Sequence, residues 1–517
     1  MKYGDFTFSA QYFVYLYRLK TITYMKNILH RTLLLITSLV STTSLLVSCS
    51  SADDAQQFLS KLDREAEARK QEILSTPTIL DREKLYYISA EGNDQNDGLT
   101  PETAILSLEH LNSLDLQPGD GVMFRRGDLW RGQLKAKRGV TYSAYGEGEK
   151  PRIYGSPYDA AKVGKWVETE TRNVYMYDGE LPNDIGTLVF NHGQAHAFKV
   201  MMIREEDGST LHIETREPFA SYRDLKRDLE FYHDYRGEKR IYLCSTEGNP
   251  AERFSSIELL TKGHIVLAAS GATFDNLCLK YCGSHGIGSG TTKDLTVTNC
   301  ELGWIGGSIQ SESAFGRNHP TRYGNAVEIY GGCENFMVSN CYIYQIYDAA
   351  VTHQHQGDVQ EPLIMRNVIY SNNLIEDCVY SIEYFLGRED TIQTHQMEEI
   401  LIANNIMRRA GYGWGKQRPD KETPAHIKSW SHHTNNATNF VVANNIFDRS
   451  THDLLNIAAA KSESMPTLAN NTYIQHRGAS AGSWGSEGVV YTFDDTVAKS
   501  LEELFGEKSG KIIFVEE

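Results

Sequence analysis

The second half of the chain repeats, and that repeat limits what the chain can become. Seven asparagines mark the register: Asn276, Asn299, Asn340, Asn372, Asn404, Asn444 and Asn470, at spacings of 23, 41, 32, 32, 40 and 26 residues. Two positions before each stands an apolar or aromatic residue: Phe274, Val297, Val338, Tyr370, Ile402, Val442 and Leu468. Three positions after each stands another: Leu279, Leu302, Ile343, Ile375, Met407, Phe447 and Tyr473. Between anchors the apolar pattern has period two rather than 3.6, so the units are strands and not helix pairs. Asparagine tolerates the left-handed backbone of a tight bend. Stacked coils would therefore carry these residues at one corner, their amides laddered from coil to coil and the flanking apolar residues in one continuous core. The unequal spacings become loops on the side of the stack.

Composition agrees with a turn-rich β architecture: 42 Gly and 29 Tyr against 13 Pro in 517 residues. Hydrophobic residues at 40% and charged residues at 23% are ordinary for a soluble globular chain. With 51 Lys+Arg against 67 Asp+Glu the net charge is −16, which argues against nucleic acid as a partner. An anionic polysaccharide is not excluded, because a local basic groove can sit on an acidic molecule.

The N-terminal region reads as an address. Residues 33 to 47 form an apolar run after Lys26, His30 and Arg31, too short for a confident membrane span and suited to a signal-peptide core. The run ends in Leu46-Val47-Ser48-Cys49, which resembles the lipobox of bacterial lipoproteins and implies cleavage before Cys49 and lipidation of its thiol and amine. Met25-Lys26-Asn27 looks like a natural start, so residues 1–24 are expected to be a mis-assigned upstream extension and 25–48 the signal peptide. Surface-exposed or periplasmic placement at a bacterial outer membrane follows as an expectation. Apart from Cys49, seven cysteines remain with no CxxC pair, so a disulfide framework or zinc knuckle is not expected.

Residues 49–84 read as a helical, charged tether, with Phe58, Leu59, Leu62 and Ala66 on one face. Residues 85–154 read as an N-terminal cap and first coils. Within them Thr100-Pro101-Glu102 begins a helix, and Ile105, Leu108, Leu111 and Leu114 give it an apolar face, so a helix over 104–114 is expected to cover the end of the stack. Residues 155–258 are β-patterned without the repeat and read as an insertion. Coils occupy 259–480, and 481–517 form a C-terminal cap from a helix near Thr496 to Phe505 and the strand Lys511 to Val515.

The Asn-anchored repeat resembles the right-handed parallel β-helix of the pectate-lyase-like superfamily. The segments Tyr86-Tyr87-Ile88-Ser89, Asn96-Asp97-Gly98, Pro118-Gly119-Asp120 and Arg126-Gly127-Asp128 are similar to the N-terminal cap of its secreted carbohydrate-active members. The resemblance covers about residues 85 to 480. It implies an all-β solenoid and a polysaccharide or oligosaccharide partner, with the chain expected to be monomeric. The fold hosts hydrolases, lyases, esterases and non-catalytic binders alike, so the chemistry must be read from the site.

Aligning a second strand after each corner puts Val327, Val351, Ile382, Ile427 and Leu455 in one inward row, and Glu328, Thr352, Glu383, Lys428 and Asn456 in the adjacent outward row. At about 4.8 Å per rung, Glu328 and Glu383 lie about 9–10 Å apart. That is at the upper edge of the separation at which one carboxyl protonates a glycosidic oxygen while the other activates water. Lys428 is expected beside Glu383, and His426, two residues earlier, on the same face. The long insertions Gly306 to Gly324 and Ala410 to Ala425 bring Arg317, His319, Arg322, Tyr412, Trp414 and Arg418 as candidate substrate-binding residues, because cations and aromatic faces grip sugars and their carboxylates. A hydrolase reading needs no cofactor. A lyase reading uses Lys428 or His426 as base and Arg317 or Arg322 to neutralise a uronate, with Ca²⁺ held by Glu328, Glu383 and Asn325. A third reading is a glycan-binding surface protein without catalysis. His353 and His355 alternate along one strand, and stacked interior side chains explain them more simply than a metal site.

Overall fold

Three long parallel sheets wind through the chain in the order that the repeat requires. The computed structural model describes residues 48–49, 52–312, 318–357, 359, 361–386, 395–418, 423–434, 436–458, 462–485 and 487–516. The expected signal-peptide core and Arg317 lie outside these residues. Along the first sheet run Cys278–Cys282, Glu301–Ile305, Tyr342–Ile346, Leu374–Glu376, Ile406–Ala410, Ile446–Ser450, Thr472–His476 and Lys511–Val515, each pairing in parallel with the next. The second carries Ile287–Ser289, Val327–Tyr330, Ala349–His355, Tyr380–Leu386, Ala425–Thr434, Leu455–Ile457 and Ser480–Trp484. The third carries the strands that end at the asparagine corners, from Thr273–Asp275 to Thr467–Ala469. The molecule is a right-handed parallel β-helix.

All the apolar residues flanking the seven asparagines, and the row Val327, Val351, Ile382, Ile427 and Leu455, lie in one continuous buried core. Each anchor asparagine is left-handed, with φ between 51° and 58°. The amide ladder, however, is carried one residue later. The inward-facing Asn373, Asn405, Asn445 and Asn471 are buried, and each passes its Nδ2 to the carbonyl oxygen of the next side chain at 2.9–3.1 Å, ending on Glu507 Oε2 at 3.0 Å. Asn340, Asn372, Asn404 and Asn444 bond to the next coil through the main chain, as Asn340 N–H does to Ser371 O at 3.1 Å, whereas the buried Asn276 at the first corner takes Lys150 on its side-chain oxygen at 2.7 Å. From Asn372 onward the residue after the left-handed one takes the interior position.

At the N-terminal end the expected helix over 104–114 divides in two. Thr100 caps a short 3-10 turn, Pro101–Thr103, and Ile105 then forms a parallel bridge to Ile88. Its main-chain N–H bonds to Tyr87 O, and its carbonyl accepts from Ser89 N–H, which takes it out of any helix. Helix α2 (Leu108–Ser113) starts only at the Ser107 cap and buries Leu108 and Leu111. At the other end helix α4 (Val497–Phe505) buries Val497, Leu501 and Phe505 in the main core, and Gly506 at φ 73° closes it.

Helix α1 (Ala52–Ser75) does not stand off as a tether. Its Ala55, Leu59, Leu62, Ala66 and Ile73 pack on Tyr342, Leu374, Ile406, Ile474 and Ile513, the outward apolar residues of the first sheet. Asp63 pairs with the buried Arg408, whose guanidinium also holds Asp448 at 2.9 Å. Residues 155–258 build separate sheets with their own cores, one around Tyr177, Leu188 and Phe231 and another around Val174, Phe219 and Tyr242. Helix α3 (Pro250–Arg253) leads from them into Ile257–Thr261, which returns the chain to the coils.

Candidate active site on the second sheet

The register along the second sheet runs Gly288, Glu328, Thr352, Glu383, Lys428, Asn456 and Ser483, each opposite the next. Strand alternation turns this row away from the core, because Val327, Val351, Ile382 and Ile427 beside it face inward with no exposure. Glu328 and Glu383 are therefore separated by one rung, Thr352, and Lys428 adjoins Glu383. The three side chains are nonetheless largely buried, at 6%, 5% and 6% exposure, because neighbouring side chains close over them.

Glu328 sits in a nest of donors. His285 Nδ1 lies 2.7 Å and Asn325 Nδ2 2.6 Å from its Oε2. Burial alone would raise its pKa; the His285 charge and hydrogen bond, with Asn325 and Gln354, outweigh burial and bring it below the usual value. A second imidazole, His264, packs on His285 at 5.0 Å between ring centres. Burial and the neighbouring His285 hold His264 down at about 4, partly offset by Glu328. Gly288 makes room for this pair, since a Cβ there would come within 3.3 Å of the His264 ring. Asn325 Oδ1 accepts from Ala349 N–H at 2.8 Å, which fixes the amide with its nitrogen toward Glu328. A nitrogen donor at that point does not suit the oxygen ligand set that Ca²⁺ requires, so the Glu328–Asn325 calcium site of the lyase reading does not fit. Among the described residues no cluster of three His, Cys, Asp or Glu side chains has metal-binding geometry.

Around Glu383 the partners are different. Trp430 Nε1 donates to its Oε1 at 3.0 Å. Lys428 Nζ lies 4.4 Å from the Trp430 ring centre and donates to Asn456 Oδ1 at 3.0 Å and Thr423 Oγ1 at 3.2 Å. Asn456 is held in turn by Asp453 at 2.7 Å.

The other sequence candidates separate into two groups. Tyr412 is 43% exposed and His319 half-buried, both still able to meet a ligand. Arg418 is close to Asp348 at 2.7 Å and lies over Tyr347 and Tyr380. Arg322 is instead buried: its Nε donates to Gly307 O and its Nη2 to Gly186 O, joining the insertion to the coils. Trp414 is buried likewise, with both of its N–H groups on Gln345. His426 does not share the face of Lys428. Its ring turns back over the bend toward Phe447, Nδ1 meets Ser381 Oγ and Nε2 the Arg449 carbonyl, both at 3.1 Å. At the first turn of a strand, packing against the preceding sheet overrides simple alternation. His353 points inward and takes Tyr370 OH at 2.8 Å. The alignment missed His264, His285, Tyr323, Gln354 and Trp430. Reading two residues on from Thr352 and Lys428 in the outward row would have found Gln354 and Trp430; His264, His285 and Tyr323 lie outside that row.

Fold and row together define a parallel β-helix with a polar, carboxylate-bearing strip on its second sheet. No family model matches the chain, and no curated protein matches it. Several solved structures are similar in fold. The complex of XylC with xylose is 12% identical, with a TM-score of 0.43 over 79% of this chain and 73% of that one. The GH136 lacto-N-biosidase from Eubacterium ramulus is 12% identical, with a TM-score of 0.33 over 89% and 71%. Pectate lyase Pel9A is 10% identical, with a TM-score of 0.31 over 81% and 85%.

Proposed function

We propose that the strip on the second sheet is the active site of a glycoside hydrolase acting on a polysaccharide or oligosaccharide. The observation that carries this reading is the pair Glu328 and Glu383 on one outward row, two rungs or about 9–10 Å apart. That spacing leaves room for a water and a glycosidic bond between the two carboxyl groups, as inversion requires. The half-buried indole of Trp430 beside Glu383 offers a flat face of the kind sugar rings pack against. Lys428, opposite Glu383 on the next rung, puts a cation beside that carboxylate and donates to Asn456 and Thr423.

The test is cleavage of a glycan panel followed by product analysis. New saturated reducing ends support hydrolysis, an ultraviolet-absorbing unsaturated uronide supports a lyase, and no cleavage supports a binder. Glu328→Gln and Glu383→Gln should each lower turnover by about 10²–10⁴-fold while melting like the parent protein. Both variants keeping near-full activity while Lys428→Ala is dead would replace the hydrolase with a lyase.

The same reading places the protein as a lipoprotein of a bacterial outer membrane, anchored through Cys49. Its support is the apolar run before Leu46-Val47-Ser48-Cys49. Two or more acyl chains give stable anchoring where one is marginal. Cys49→Ala should therefore release the protein from membranes, and a variant that still pellets with them in high salt refutes the anchor.

A further inference from the structure

We propose that Thr352, the rung between Glu328 and Glu383, holds the water that attacks the sugar. This rests on the hydrolase reading and adds a third group to its machinery. Thr352 stands opposite Glu328 on one side and Glu383 on the other, and it shares their outward face because Val351 beside it points into the core. It is nonetheless fully buried, and its Oγ1 has no hydrogen-bond partner among the described residues. A buried hydroxyl left unmet costs stability, and native proteins seldom keep one without a ligand, ion or water to meet it. Valine would fill nearly the same space on a strand without that cost. A hydroxyl at this rung is accounted for by something that binds it.

Depth favours water over sugar. Thr352 has no exposed surface and lies between carboxylates that are themselves only 6% and 5% exposed, which puts it below the level at which a sugar ring rests. A single water is small enough to reach it, and buried waters settle where two or more polar partners converge. Rungs lie about 4.8 Å apart, so a water about 2.8 Å from Thr352 Oγ1 also reaches a carboxylate on the neighbouring rung. His285 and Asn325 fix Glu328, and Trp430 donates to Glu383, so both carboxylates are oriented around the central rung. Either glutamate serves as base in this geometry. In the step itself, one water proton passes to the base carboxylate as the water oxygen bonds to the anomeric carbon. Thr352 Oγ1 accepts from the second O–H and keeps it aligned. The glycosidic bond breaks with its electron pair on the leaving oxygen, which takes the proton of the other carboxyl group.

The first test is a crystal structure of the parent protein. It should show an ordered water within about 3.0 Å of Thr352 Oγ1 and of a Glu328 or Glu383 carboxylate oxygen, absent in Thr352→Val. No water there in the parent overturns the inference. Kinetics of the full chain follow on a glycan that the parent cleaves, with Glu328→Gln and Glu383→Gln in parallel. Thr352→Val should lower kcat about 10²-fold with KM little changed, the loss expected when a reacting group is misplaced. Thr352→Ser should regain most of that rate because it returns the hydroxyl, whereas a merely structural role would follow shape and favour valine over serine. Thr352→Ala removes the hydroxyl by a second route should the valine variant not fold. A raised KM at the parent kcat would make Thr352 a sugar contact and overturns the inference. Folded valine and alanine variants with parent kinetics, beside inactive Gln variants, overturn it and leave the hydrolase reading standing. Active Gln variants, or no saturated product from any glycan, overturn both.

Discussion

At the residue scale the interior holds titratable groups that hydrophobic cores usually lack. Burial brings His353 to about 3 and His426 to about 4. A histidine whose folded value lies below its unfolded value of about 6.5 is protonated first in the unfolded chain as pH falls. Its neutral form therefore contributes stability in full above that value and loses it between about 6.5 and 3–4. The urea midpoint should drop between pH 7 and pH 5, and His353→Gln should flatten part of that drop; an unaltered slope would mean that His353 is not held neutral. The candidate site divides along the same line between face and interior. Glu328, Glu383 and Lys428 were readable because strict alternation holds in mid-strand. His426 was misread because it stands at a bend, and Trp414 and Arg322 because residue type alone cannot separate a sugar platform from a packed joint.

At the element scale the corners divide work between two adjacent asparagines. The first supplies backbone conformation, the second a buried amide that satisfies the coil before and the coil after. Asn404→Gly should be nearly neutral and Asn404→Ala cost about 1–2 kcal/mol, since only the latter strains a left-handed residue. Asn405→Ala should cost more, about 1–3 kcal/mol for each partner left unsatisfied. Denaturant titration separates these outcomes, and equal losses at both positions would reverse the assignment. The repeat was legible because corner and core positions recur together. The ladder was displaced by one residue in the sequence reading because Asn-Asn pairs offer two candidates with the same composition. Helix α1 was misread for a different reason: its charged residues suggested a solvated stalk, but its narrow stripe of Leu and Ala matches an apolar strip on the first sheet. Leu62→Ala should cost about 2–5 kcal/mol if that packing is as close as a core contact. A loss within experimental error would return the helix to the role of tether.

At the scale of the whole molecule each coil rests chiefly on its two neighbours, so disruption spreads along the axis rather than through a single centre. Seven cysteines other than Cys49 are buried and free, Cys244, Cys278, Cys282, Cys300, Cys333, Cys341 and Cys378, and all but Cys244 lie in the coils. Cys278 and Cys282 share one strand, Cys300, Cys341 and Cys378 lie at successive coils, and Cys244 lies in the insertion. Burial pushes the thiols of Cys282 and Cys333 up to about 12, so neither is a ready nucleophile while folded. Alkylation must wait for a thiol to be uncovered and ionised. The chain therefore carries its own set of timers. A pulse of thiol reagent in mild denaturant, followed by peptide mass spectrometry, should record a graded order of labelling along the solenoid, with Cys244 on a separate schedule. One common rate for all seven would mean that the stack opens as a single body.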